Sequence, residues 1–67
     1  MWVQTSGSAF VNDDMQILEV WSDKYSGFVW QLWYRGNWFF DSPTDETIAM
    51  QRCEMIRDEQ ITLQRGI

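Results

Sequence analysis

Cys53 is the only cysteine in a chain of 67 residues that contains no histidine. A thiol becomes a nucleophile when a neighbouring base or positive field lowers its pKa. Without histidine the usual thiol–imidazole pair cannot be built, and neither can a four-ligand zinc cage of nitrogen and sulfur. A disulfide within the chain is excluded by arithmetic. The other reactive groups are carboxylates, at Asp13-Asp14 and at Asp41, Asp45 and Glu46. Paired carboxylates can serve acid–base or metal-assisted catalysis. Asn12-Asp13-Asp14, however, lacks the spacing and the glycine of a calcium loop. Asn and Asp bond their own backbone, so this group reads as a turn. Asp45 and Glu46 follow Ser42-Pro43 and read as negative charge in the first turn of a helix. Phosphate-binding glycine loops, dinucleotide fingerprints and serine elbows are missing from the sequence. The expectation is a protein that is not an enzyme, with no cofactor and no metal.

Charge narrows the partners. Ten acidic residues stand against five basic ones, a net charge of −5. Direct binding to nucleic acid relies on Lys and Arg displacing counterions, so it is not expected. An anionic membrane surface would repel the chain as well. A basic protein surface, including that of a nucleic-acid-handling protein, would attract it. No run approaches the ~20 apolar residues of a membrane span. The opening Met1-Trp2-Val3-Gln4-Thr5-Ser6-Gly7-Ser8 does not read as a signal peptide. One unpaired cysteine fits a reducing cytoplasm.

These side chains must be held by a very small fold. A chain of this length buries only ~60% of the surface it exposes when unfolded. Dense packing of large residues is one compensation, and Phe28 to Phe40 supplies seven aromatics in thirteen positions. Turn-forming groups at Ser6-Gly7-Ser8, Asn12-Asp13-Asp14, Ser22 to Gly27, Gly36-Asn37 and Asp41-Ser42-Pro43 separate short strand-favouring runs. Connections this short permit hairpins and exclude parallel crossovers. Ser42 followed by Pro43 resembles a capped helix start. Ala49, Cys53 and Ile56 then recur at helical spacing. The predicted fold class is α+β, in one domain spanning 1–67. An antiparallel β-meander over about 2–41 precedes a helix over about 43–60 and a tail at 61–67, with Gly66 as a terminator.

Alternation along the strands separates two faces. Phe28, Trp30, Leu32 and Tyr34 form the more apolar set and are assigned to the core, beneath Ala49, Cys53 and Ile56. Ile17, Trp21, Val29, Trp33 and Phe39 are assigned to an outer face interrupted by Glu19, Gln31 and Arg35. Cover by the first strands, through Trp2 and Phe10, is the competing fate of that face.

The leading functional expectation is a small acidic, non-catalytic protein-binding module that occludes a basic surface of a larger protein. Ile17, Trp21, Trp33 and Phe39 would be its apolar anchors, Arg35 an edge contact, and Asp13, Asp14 and Asp23 an acidic rim. Very small, acidic proteins of this type are common among phage and mobile-element accessory proteins. The alternative is a homodimer or larger structural assembly joined through the aromatic face. A sugar- or base-stacking platform is the weaker third reading, because stacking proteins add polar or basic anchors.

Overall fold

A computed structural model describes residues 1–39 and 43–65, with side chains through residue 63. Five strands, β1 (Val3–Ser6), β2 (Ala9–Asn12), β3 (Met15–Ser22), β4 (Gly27–Tyr34) and β5 (Asn37–Phe39), precede one helix, α1 (Glu46–Arg65). The strands pair in sequence order, each antiparallel to the next. This is the expected α+β meander.

Short connections dictate the register. Asp13-Asp14 joins β2 to β3, Asp23 to Ser26 joins β3 to β4, and Arg35-Gly36 joins β4 to β5. Backbone φ is positive at Asp13 (53°), Ser26 (52°), Arg35 (51°) and Gly36 (75°). Left-handed conformation at both central residues of Tyr34-Arg35-Gly36-Asn37 matches the twist of a two-residue hairpin. Each of these loops contains an even number of residues, so odd positions on one strand face even positions on the next. Ile17 therefore opposes Leu32, Trp21 opposes Phe28, and Phe39 opposes Leu32 from the other side.

That parity overturns part of the predicted face assignment. Side chains opposite one another across a ladder lie on the same side of the sheet. Ile17, Glu19 and Trp21 thus share a side with Phe28, Trp30, Leu32 and Tyr34, and Phe39 joins them. Ile17 and Leu32 are fully buried, together with Met15, Ala49 and Cys53, and Trp30 and Tyr34 complete the core. Trp2, Phe10, Phe39, Met50 and Ile56 pack around this cluster. Trp2 and Phe10 accordingly seal the helix side and do not cover the opposite one.

Asp45 caps α1. Its carboxylate accepts the Ile48 amide at 3.0 Å, and its carbonyl accepts the Ala49 amide at 2.9 Å. This satisfies one of the amides left orphaned at a helix start. Pro43, expected at the first helical position, lies ahead of the helix instead. Its carbonyl accepts the Trp30 amide at 2.9 Å, continuing the backbone pairing of β4 beyond the end of β5. Ser42, the expected cap, lies outside the described residues, as do Asp41 and the terminator Gly66. From Glu46 to Arg65 there is neither Gly nor Pro, and α1 continues through the predicted tail at Ile61-Thr62-Leu63.

The helix crosses the sheet from Trp30 towards the Asp14–Arg35 end. Pro43 lies beside Trp30, the Cys53 thiol meets the Trp33 carbonyl, and the charge of Arg57 is felt at Asp14. α1 spans about 30 Å at 1.5 Å per residue, and β3 about 26 Å at 3.3 Å per residue. The molecule is nevertheless 41 Å long. Past Leu18 on β3 and Leu32 on β4 the β3–β4 hairpin continues without paired residues of β2 or β5 beside it.

Burial separates two residues that alternation alone groups together. Ile17→Ala should cost about 2–5 kcal/mol, the range for emptying a packed core site. Trp21→Ala, which removes an exposed ring pair, should cost about 1 kcal/mol. Urea denaturation of the two variants checks the contrast.

Candidate functional site

The exposed tip of the β3–β4 hairpin is an aromatic cluster. Trp21 and Phe28 are opposite partners on the helix side, but α1 starts too far along the sheet to cover them. They remain 57% and 59% exposed. Their rings meet edge to face, with centroids 5.4 Å apart and planes at 84°, an arrangement favoured by the ring quadrupoles. Asp23 accepts the Trp21 indole N–H at 2.9 Å, which fixes the ring from the adjoining loop. Tyr25 is also exposed, and the Lys24 ammonium sits 5.3 Å from its ring centroid. Asp45 and Glu46 stand at the start of α1, and Pro43, ahead of them, bonds the amide of Trp30, two residues along β4 from Phe28. The tip therefore combines exposed apolar rings with the Asp23 carboxylate.

A second surface is the sheet face opposite the helix. It carries Val3, Ala9, Val11, Leu18, Val20, Val29, Trp33 and Trp38, with Gln16 and Gln31 as its central polar groups. Trp33 and Trp38 stack across β4 and β5 at 6.4 Å and 21°, and the Gln31 side-chain oxygen accepts the Trp33 indole N–H at 3.3 Å. Glu19 is the only charged residue in the five strands, and it lies on the helix side. Among the described elements, α1 contacts only β3 and β4, and each strand contacts only its neighbours. No described element covers this face.

The eight predicted contact residues do not form one surface. Ile17 is core and cannot touch a partner, and Phe39 is half-buried against the same core. Trp21 and Asp23 occupy the hairpin tip, whereas Trp33 lies on the opposite face. Asp13, Asp14 and Arg35 gather at the other end of the sheet, a strand length away. Arg35 pairs with Asp14. Its Nε donates to Asp14 at 2.9 Å, and its backbone amide donates to the Asp14 carbonyl at 2.8 Å. This double link joins the β2–β3 and β4–β5 turns. The Arg57 guanidinium meets Asp58 at 3.1 Å.

Phe28, Tyr25 and Trp38 are the surface aromatics that the sequence pattern does not single out. Phe28 alternates with core residues, and only its position beyond the helix exposes it. The even length of the Asp23–Ser26 loop carries the signal for its pairing with Trp21.

Cys53 is fully buried, and its thiol donates to the Trp33 carbonyl at 3.4 Å. Burial pushes its pKa up, opposed by backbone contacts from Gln16 and Trp33. That environment suits a packed side chain and disfavours the thiolate. Among the described residues, no group of three or more His, Cys, Asp or Glu is placed to hold a metal ion. No described helix is long and apolar enough to cross a membrane.

No protein-family model, curated protein or solved structure matches this chain.

Two expectations follow from these environments. Cys53 should resist a thiol-labelling reagent in the native protein and react on unfolding; fast native labelling would contradict its burial. The Arg35 hydrogen bond holds the Asp14 carboxyl below its ordinary value of 3.8. A depressed folded-state pKa contributes stability above the unfolded pKa and loses it as pH falls through the folded value. Stability should therefore decline below about pH 4, and Asp14→Asn should flatten that decline in a pH series of thermal melts. The pair is substantially exposed, so the effect should be small.

Proposed function

We propose that this protein is a small, acidic, non-catalytic protein-binding module that docks its β3–β4 hairpin tip on a basic surface of a larger protein. The observation that carries the reading is the Trp21–Phe28 pair, more than half exposed and held in place by the Asp23 hydrogen bond. Interface hot spots are enriched in Trp and Tyr. Rings already fixed before contact lose less conformational entropy on binding. Asp23, Asp45 and Glu46 supply carboxylates for the rim, and the net charge of −5 steers a positive partner towards it.

Occlusion is the mechanism this geometry supports. The tip overhangs the globule as a narrow projection, a shape suited to entering a groove on a basic protein, including one that binds nucleic acid. The reading keeps the action in the cytoplasm, where a single buried thiol remains reduced. A phage or mobile-element accessory protein that restrains a host or element-encoded enzyme is the biological form that size and charge favour.

The test is capture of partners from source-cell extract on immobilised protein, followed by titration of the purified partner. The expected partner is basic, and its affinity falls as salt rises. Trp21→Ala/Phe28→Ala should weaken it by about 100-fold or more, two ring contacts at ~1.5 kcal/mol each, with the circular dichroism spectrum unchanged. A partner held equally by the double variant, or one whose binding is indifferent to salt, contradicts the proposal.

A further inference from the structure

An antiparallel sheet covered on one side ordinarily presents polar and charged residues on the other. Here the strand residues on the side away from α1 include no charged one among the described residues, although the chain has fifteen, ten acidic and five basic. Val3 is 57% and Trp38 41% exposed there, Val11, Leu18, Val20 and Trp33 are half-buried, and Ala9 and Val29 are buried. Its central polar groups are neutral amides, one of them already engaged with Trp33.

We propose that this face is the contact surface for a second copy of the chain, packed sheet to sheet with the helices outermost. Charge selects that occupant. A basic partner would find no carboxylate on the face, and two chains of net charge −5 repel wherever their helices or turns meet. Back-to-back packing joins the uncharged faces and leaves the carboxylates of α1 on the two outer surfaces. The two-fold arrangement is self-complementary, as a closed dimer requires. Aligned sheets pack about 10 Å apart with interdigitated side chains, and valines and leucine beside the stacked tryptophans suit that spacing.

Area sets the strength. Five strands at about 4.8 Å and a mean length near 18 Å give a footprint of roughly 400 Å² per copy. For two copies this totals roughly 800 Å², below the ~1,200 Å² at which standard specific interfaces begin and in the range of weak, transient ones. The dimer is therefore reversible, and its population grows between micromolar and millimolar concentration. It uses the side of the sheet away from the hairpin-tip rings, so each dimer presents two tips.

Sedimentation velocity across that concentration range, in low and high salt, tests the proposal. The wild type should dimerise, and more strongly in high salt because the like charges are screened. Val20→Lys lowers the repulsion between copies yet buries a charge in the contact; it should weaken association by about ten-fold or more. Should Val20→Lys fail to fold, Trp38→Gln on the short edge strand provides the same reading and should weaken association by about five-fold or more. Trp21→Ala/Phe28→Ala should leave dimerisation unchanged. A wild type that stays monomeric at millimolar concentration in high salt overturns the proposal. So does association that survives the face variants, or that is lost in the tip variant.

Discussion

The parity of the connections between β2 and β5 is the constraint on which the rest of the structure depends. Side-chain direction alternates along every strand, so adding or removing one loop residue would exchange the two faces of everything that follows. Loops of two, four and two residues put Met15, Ile17, Leu32 and Tyr34 on one side. Only that combination gives α1 a continuous bed. Residues with short side chains that tolerate positive φ make such loops possible at Asp13, Ser26 and Gly36. Arg35 is the exception, and its link to Asp14 holds it in place.

From this bed follow both candidate surfaces. Ala49 and Cys53 are small, which lets the helix lie close over β3 and β4, and the thiol satisfies itself on a strand carbonyl. One helix cannot cover the whole sheet. Its start beside Trp30 leaves Trp21 and Phe28 exposed at the hairpin tip, and among the described elements none lies on the opposite side. The first surface is aromatic with Asp23 beside it; the second, among the described strand residues, is apolar without charge. The proposed partners differ for that reason: a positive surface for one, a like copy for the other. The two are compatible because they point away from each other.

Much of the fold was legible in the sequence. Turn chemistry separated the strands, their brevity excluded parallel crossovers, and helical spacing from Ala49 to Ile56 named the residues that meet the sheet. The even-residue faces of β4 were also legible, since Trp30, Leu32 and Tyr34 are buried as alternation suggests. What alternation cannot supply is the phase between strands. Ile17 and Phe39 looked like outer residues because their numbers share parity with Val29 and Trp33; the loop lengths reverse that. Helix placement was equally hidden. Phe28 repeats the core pattern and is exposed only because α1 begins beyond it, a fact of three-dimensional reach. At the helix start, Ser42-Pro43 drew attention from Asp45, whose carboxylate makes the capping bond.

The face assignment underlies every functional statement, and the Ala49 methyl group reports on it most directly. Ala49 is fully buried against the sheet. A methyl nuclear Overhauser experiment on the native protein should give strong contacts from Ala49 to core side chains among Ile17, Trp30 and Leu32, and none to Val29 or the Trp33 indole. Contacts to Val29 and Trp33 in place of these would mean that the helix lies on the other face, and the account of both surfaces would be wrong.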